Sequence, residues 1–155
     1  MSYIIISINE ASPQKGNIKM STRALIGYHE DGVGRYVHFD GSPDSLGVQL
    51  ATIIERDGYN DALEQLLDRA RNGWSYIDSE QNDEKSEPRF TIVPGYGRRY
   101  NDDDGDDWLK FSDGDTEWSY EFYENGICGI NYYGKRVGEI DMFGTLVDDM
   151  RNFTC

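Results

Sequence analysis

The sequence predicts an α+β domain in which an antiparallel sheet packs against two or three helices. Two pairs of runs rich in β-branched and aromatic residues are each joined by a turn dipeptide, Asp31-Gly32 in the first pair and Asn125-Gly126 in the second. Two amphipathic helical patterns lie between these pairs. Because strands and helices are segregated along the chain, antiparallel hairpins are favoured over a parallel doubly wound sheet. The 155 residues are expected to form one domain, 1–155.

The first predicted strand is the β-branched run Ser2 to Ile8, SYIIISI, which we expect to lie at an edge of the sheet. Residues 1–19 are then an N-terminal extension, and two explanations stay open: a native edge strand, or a start site assigned upstream of Met20. The apolar run Tyr3 to Ile8 is too short to span a bilayer, and no basic segment precedes it. We therefore expect neither export nor membrane insertion.

The first hairpin is predicted from Thr22 to Phe39, where TRALIGY and RYVHF flank the Asp-Gly turn. Asp-Gly tolerates the positive φ angles of a two-residue turn. Such a turn places Ile26 opposite Val37 and Tyr28 opposite Arg35.

Two helices are predicted after this hairpin. A Ser-Pro pair begins the first, over residues 43–57, and Gly58 ends it. The capping-box spacing of Asp61 and Glu64 begins the second, over residues 61–71, which stops at an Asn-Gly pair. The apolar faces are Leu46, Leu50, Ile53 and Ile54 in the first helix and Leu63, Leu66, Leu67 and Ala70 in the second.

The C-terminal half begins with residues 78–88, which lack apolar side chains and are expected to form an exposed linker loop. A second hairpin is predicted from Glu117 to Tyr133, with Trp118, Tyr120 and Phe122 on one face of its first strand. The remaining predicted elements are a strand at Phe90 to Val93, turns at Pro94 to Gly97 and Gly134 to Gly138, a short strand at Glu139 to Met142 and a helix at Thr145 to Met150.

The charge of the chain restricts its partners. It has 29 acidic and 15 basic residues, a formal net charge of −14 and a pI near 4.4. Neutralising nucleic acid phosphates needs a stripe of Lys and Arg that this chain lacks, so we expect no direct binding to nucleic acid. An acidic surface suits a basic protein partner. The two cysteines, Cys128 and Cys155, form neither a disulfide framework nor a metal set, which fits a reducing cytoplasm.

The segment Met20 to Gly27, MSTRALIG, and the motif His38 to Gly41, a His-aromatic-Asp-Gly sequence followed by Pro43, resemble a family of small phage- and prophage-encoded proteins of unassigned function. The resemblance extends over roughly Met20 to Asp78. It implies a phage or prophage origin, so the reducing cytoplasm expected above is that of a bacterial host, and it implies no particular activity. In the family pattern the methionine before Ser-Thr-Arg is the first residue, whereas nineteen residues precede it here.

The acidic loop at residues 101–107 is the centre of a predicted partner-binding surface. A calcium loop does not fit it, because placing Gly105 at the sixth position puts Tyr100 and Phe111 at ligand positions that need carboxylates. We therefore expect no metal and no cofactor. A looser, weak divalent-cation site and a plain solvated loop both stay open as interpretations of these acidic residues. The predicted surface consists of Asp102, Asp103, Asp104, Asp106, Asp107, Asp113, Asp115, Trp118 and Tyr120.

A ligand pocket at the junction of hairpin and helix is the alternative site. His38 and Asp40 lie two residues apart at a strand end, where they would act as a general base with its orienting group, or would merely form a tight turn. The glycines and arginines of Pro94 to Arg99 contain no dinucleotide or P-loop fingerprint. The residues of this predicted pocket are Arg23, His38, Asp40, Arg98 and Arg99.

Three functions follow from these observations. The first is a non-enzymatic phage accessory protein that binds and inhibits a basic host protein, a nucleic-acid-processing or defence protein, by acting as an acidic decoy. The second is a small-ligand or nucleotide-binding protein that uses the hairpin-helix junction. The third is a hydrolase built on His38 and Asp40, but no nucleophile elbow, zinc-ligand cluster or HExxH helix supports a catalytic site.

Overall fold

The computed structural model describes residues 22–68, 71–82, 87–101, 108–113, 116–142 and 150. The predicted strand Ser2 to Ile8, most of the predicted helix Thr145 to Met150 and residues 102–107 of the acidic loop lie outside these residues. The described part is an α+β structure with nine strands and two α-helices.

The strands are β1 (Ala24–Tyr28), β2 (Val33–Val37), β3 (Trp74–Ile77), β4 (Phe90–Val93), β5 (Gly97–Tyr100), β6 (Trp108–Lys110), β7 (Trp118–Phe122), β8 (Ile127–Tyr132) and β9 (Lys135–Asp141). The helices are α1 (Val48–Asp57) and α2 (Tyr59–Leu66). The strand order is β4-β5-β3-β2-β1-β7-β8-β9, and β6 also pairs with β2.

The sheet is mixed and larger than the two hairpins plus one strand that the sequence predicts. Parallel pairing joins β1 to β7 and β2 to β3, while the other strand pairs are antiparallel. The sheet is thus mostly antiparallel, as predicted, and one of its two parallel pairings arises because the two hairpins lie side by side through their first strands, β1 and β7, which run in the same direction.

The first hairpin forms, but its register differs from the prediction. Ile26 lies opposite Arg35 and Ala24 lies opposite Val37, which is two residues away from the predicted pairs. A 3₁₀ turn, His29–Asp31, and Gly32 at φ 72° connect the strands, so the loop has four residues rather than two. Because the shift is two residues, each side chain keeps its face of the sheet.

The second hairpin confirms the prediction. Tyr120 and Phe122 are buried at 0% and 1% exposure on one face of β7, and Gly126 has the positive φ of a tight turn. The predicted turn at Gly134 to Gly138 is wrong, because Tyr133 and Gly134 alone form it, at φ 47° and 81°, and β9 begins at Lys135. Edge strand β9 is therefore longer than the predicted Glu139 to Met142.

The helices follow one another closely. Pro43 begins a single π-helical turn, Pro43–Gly47, that leads into α1, and Gly58 at φ 95° ends α1 as predicted. The predicted capping box of α2 is wrong: the helix begins at Tyr59, so Asp61 lies inside its first turn, and it ends at Leu66 rather than near residue 71. The two helices pack on one face of the sheet, where their apolar side chains and those of β1, β3, β7 and β8 form a single core.

Candidate functional site

The predicted His38 and Asp40 site lies where β2 ends. His38 continues the pairing of β2 with β3, because its backbone N–H donates to the carbonyl of Trp74 at 3.0 Å. Its Nδ1 is hydrogen-bonded to the hydroxyl of Tyr36 at 2.5 Å. Burial, and secondly the charge of Arg23, lower the pKa of His38, so the ring is neutral at pH 7.

Asp40 and Gly41 form a turn on which the core depends. Asp40 has a φ of 58°, and its carbonyl accepts from the N–H of Leu46 at the entry to the helical segment. The carbonyl of Gly41 accepts from the buried hydroxyl of Tyr120 at 2.7 Å, and its N–H donates to Thr22. The His-aromatic-Asp-Gly motif thus joins the first hairpin to the second and to the helices.

A cleft of about 380 Å³ opens at this junction. Three of its residues carry carboxylates, Asp40, Asp44 and Asp78, and Gln49 and Tyr76 add further polar groups. The arginines of the predicted ligand pocket do not line it. The cleft therefore suits a cation rather than a phosphate.

The predicted pocket residues Arg98 and Arg99 lie on opposite faces of β5, because successive side chains of a strand alternate. Arg98 donates to the hydroxyl of Ser75 at 3.0 Å and stacks on Phe90. Arg99 lies on the helix face, 2% exposed, with its guanidinium 4.2 Å from the ring centroid of Trp74. The five predicted pocket residues therefore do not form one site.

The predicted partner-binding surface is only partly described. Trp118 is 7% exposed and Tyr120 is fully buried, so their rings face the core and do not offer a partner an open contact. Asp113 ends a 3₁₀ turn, Phe111–Asp113, after β6. Asp102, Asp103, Asp104, Asp106, Asp107 and Asp115 lie outside the described residues.

A buried polar network, which we call the Glu121 network, lies on the opposite face of β7 and β8 from the core. Glu121 accepts from His29 Nδ1 at 2.8 Å, from Asn131 Nδ2 at 2.7 Å and from Arg136 Nη2 at 3.3 Å. Arg136 also donates to Asn131 at 2.8 Å and to the hydroxyl of Tyr123 at 2.9 Å. The ring of His29 stacks on Tyr123 with centroids 4.1 Å apart.

The network fixes the ionisation of Glu121. Burial alone would raise the pKa of this carboxyl, but hydrogen bonds from His29 and Asn131 and the charge of Arg136 outweigh it and hold the pKa below its ordinary value. An ionised carboxylate only accepts, so the Nδ1 of His29 carries the proton in this hydrogen bond, and the His29 side chain is 50% exposed. The sequence alone does not predict this network, although polar residues alternate with aromatic ones through β7.

The α2 surface is an acidic cleft of about 620 Å³ beside the second helix. Asp61, Glu64 and Asp68 supply carboxylates at helical spacing along one side. Tyr28 and Leu67 supply aromatic and aliphatic walls. Such a cleft matches the shape and charge of a Lys or Arg side chain, whose stem is apolar and whose head is cationic.

Several arginines are withdrawn from solvent or neutralised. Arg35 and Arg99 are 1% and 2% exposed. Arg56 pairs with Asp57 at 2.8 Å, and hydrogen bonds from Arg56 and then Tyr96 lower the pKa of Asp57 to about 2. Arg136 pairs with carboxylates in and beside the Glu121 network. Two of the described arginines are therefore buried, and the charges of two others are balanced by neighbouring carboxylates.

No family model, curated protein or solved structure matches this chain. Among the described residues, no helix has the length and apolar character needed to cross a membrane. The same residues contain no group of three or more His, Cys, Asp or Glu side chains placed to hold a metal ion.

Proposed function

We propose that this protein is a non-enzymatic accessory protein of phage or prophage origin that binds a basic host protein through its acidic surface. One observation carries the proposal: Arg35 and Arg99 are buried in the described structure while carboxylates line two of its surface clefts. A chain with a net charge of −14 that also buries cations presents a strongly negative field, which attracts basic partners over long distances.

The partner we propose is a nucleic-acid-processing or defence protein of the bacterial cytoplasm. Its basic groove, built to hold a polyanion, would accept the acidic surface in place of DNA or RNA. The α2 surface offers one contact of the required kind, because Asp61 and Glu64 are exposed and lie beside the apolar wall of Leu67. A basic side chain would place its stem on this wall and its head between the carboxylates.

The hydrolase alternative has less support than this binding function. It requires His38 and Asp40 to act as a pair, whereas the described hydrogen bond of the His38 ring is made to Tyr36. The turn at Asp40 and Gly41 already has a structural role in joining the hairpins to the helices.

The proposal is tested by capture of partners from a bacterial lysate on the immobilised full-length protein, followed by competition. A partner held in a nucleic-acid groove is released by added duplex DNA or RNA, and its binding weakens steeply as salt is raised. Capture of a basic protein that nucleic acid does not displace would contradict the decoy mechanism while leaving partner binding in place.

Charge variants then locate the contact. Asp61→Asn with Glu64→Gln should slow association with the captured partner several-fold at low salt, because surface charges steer the encounter. The matched control, Glu80→Gln with Glu139→Gln, removes the same charge from exposed positions away from α2 and should slow association less. Equal rates for the two variants would exclude the α2 surface as the contact.

The aspartates that follow Asn101 provide a second arm of this test. Replacing Asp103, Asp104, Asp106 and Asp107 by Asn should slow association strongly and change the free energy of unfolding by less than about 1 kcal/mol, because the sequence predicts a solvated acidic loop and the charges of such a loop contribute little to stability. A variant that associates at the wild-type rate in low salt would remove these residues from the mechanism.

The junction cleft favours one second candidate, a binding site for a small ligand. Asp40, Asp44 and Asp78 line it, so the ligand that fits is a small organic cation rather than a nucleotide. A thermal-shift series with polyamines and with nucleotides, each at constant ionic strength, distinguishes the two classes. Stabilisation by a polyamine that Asp44→Asn abolishes would support this candidate, and stabilisation by nucleotides alone would oppose it.

A further inference from the structure

A cleft of about 460 Å³ lies beyond the C-terminal end of α2, beside β5. Its walls include Arg71 and Arg99, together with Asn72, Tyr100 and Asn101. Two guanidinium groups therefore meet in one cleft of a chain whose net charge is −14. This arrangement is the reverse of the two acidic clefts described above.

Arg99 is held in place with one donor group left over. Its Nε donates to the carbonyl of Asn72 at 2.9 Å, and its Nη1 donates to the carbonyl of Gln65 at 3.0 Å. The guanidinium also lies over Trp74. Its Nη2 is buried and makes no hydrogen bond within the described part of the chain. A buried donor without an acceptor costs free energy that an acceptor brought by a ligand would recover.

The charges around Arg99 are mainly positive. Burial, and then the charges of Arg71 and Arg35, lower the pKa of Arg99 to about 10, and Asp68 opposes them. Arg71 is 55% exposed, and its ion pair with Asp68 is long at 3.6 Å. Long, exposed ion pairs of this kind contribute little to stability. The Arg71 side chain can therefore leave Asp68 and turn into the cleft at a small cost in free energy.

We propose that this cleft binds a small oxyanion of the phosphate class. Arg99 Nη2 and the guanidinium of Arg71 would donate to its oxygens in the forked geometry that suits phosphate. Asn101 adds an amide donor on the same wall, because its Nδ2 makes only long bonds of 3.4 Å to the carbonyls of Glu87 and Pro88. Since Nη2 is closed to solvent, a ligand that contacts it must displace a neighbouring group at the cleft.

The phosphate group has two possible sources, a free inorganic ion or a phosphate monoester carried by a larger molecule such as a nucleotide. The cleft is open and has room for either. This cleft adjoins the α2 surface through the ion pair of Arg71 with Asp68, but the two sites take ligands of opposite charge, so each is tested with its own probe. A failure of one proposal therefore leaves the other standing.

The experiment titrates the full-length protein with inorganic phosphate at constant ionic strength and measures binding by calorimetry and by the ³¹P NMR line width. Saturable binding with a dissociation constant in the millimolar range or below is the expected result, and sodium chloride in place of phosphate should give none. Adenosine monophosphate and acetate form two further arms. Tighter binding of the nucleotide indicates the monoester source, and equal binding of acetate would overturn the phosphate class.

Arg71→Ala is the decisive variant, since an exposed side chain is removed and the fold is kept. It should weaken phosphate binding by about tenfold or more, as loss of a charged donor predicts. Lys135→Ala removes an exposed cation far from the cleft and should leave binding unchanged. The proposal is overturned if phosphate does not bind saturably, or if both variants bind it as the wild type does.

Discussion

On the helix side of β7 and β8, the side chains of Tyr120, Phe122 and Ile130 are fully or almost fully buried among apolar neighbours. On the other side the same strands present Glu121 and Asn131. These two side chains are also buried, but they are held by hydrogen bonds to charged and polar side chains. Apolar burial is non-directional and tolerates small shifts, whereas a buried carboxylate is stable only while its donors stay in place. The two faces should therefore respond differently to mutation and to pH.

The largest effect is expected on the helix side. Phe122→Ala removes a ring that is 1% exposed and packs edge-on against Tyr59, and it should lower the free energy of unfolding by about 3–5 kcal/mol. Tyr133→Ala is the matched control, because this ring is 54% exposed and its loss should cost less than about 1 kcal/mol. Urea denaturation followed by tryptophan fluorescence measures both, and similar losses would contradict the assignment of faces.

The next effect is on the polar side and depends on pH. Glu121→Gln keeps the shape of the side chain but removes the charge that three donors surround. It should lower the free energy of unfolding by about 1–3 kcal/mol at pH 7. The folded-state pKa of Glu121 is lowered, so its stabilising contribution is complete above the unfolded pKa, near 4.5, and is lost as the pH falls through the folded value. The difference in the free energy of unfolding between wild type and variant should shrink on acidification from pH 6 to pH 3. A constant difference would rule out the ionised carboxylate.

The smallest effect concerns the glycine beneath Arg136. A Cβ at position 129 would meet the guanidinium of Arg136 at 2.6 Å from Nη1, and this flexible end can move at the expense of its hydrogen bonds. Gly129→Ala should therefore lower the free energy of unfolding by about 1 kcal/mol. In Gly27→Ala the new Cβ meets the backbone oxygen of Val33 at 2.5 Å, which cannot move as easily, so this variant should lose up to about 3 kcal/mol. Thermal denaturation of both tests the order.

The sequence predicts the second hairpin and the first helix well, and the presence but not the bounds of the second helix, because these depend on local patterns. The alternation around Tyr120 and the turn at Gly126 are short-range signals, and so is the glycine that ends α1. The register of the first hairpin is mispredicted because Asp31 and Gly32 belong to a four-residue loop that the dipeptide alone does not distinguish.

The strands β3 and β5 show where local sequence patterns fail to predict which side chains are buried. A bulge between Trp74 and Tyr76 breaks the alternation of β3, so Trp74 and Ile77 both reach the core although they are three residues apart. In β5 the buried residue is Arg99, which no hydrophobic pattern marks. The Glu121 network depends on partners from three distant segments, His29, Asn131 and Arg136, so only the folded chain brings it together.

The parallel pairing of β1 with β7 also sets the order in which the chain can fold during synthesis. Residues 24–28 leave the ribosome long before residues 118–122 that they pair with. Until then β1 has β2 on one edge only, and its other edge presents unpaired N–H and C=O groups beside apolar residues such as Leu25 and Ile26. Nascent chains that stop before Trp118 would therefore be the form of this protein most open to aggregation and most dependent on chaperones.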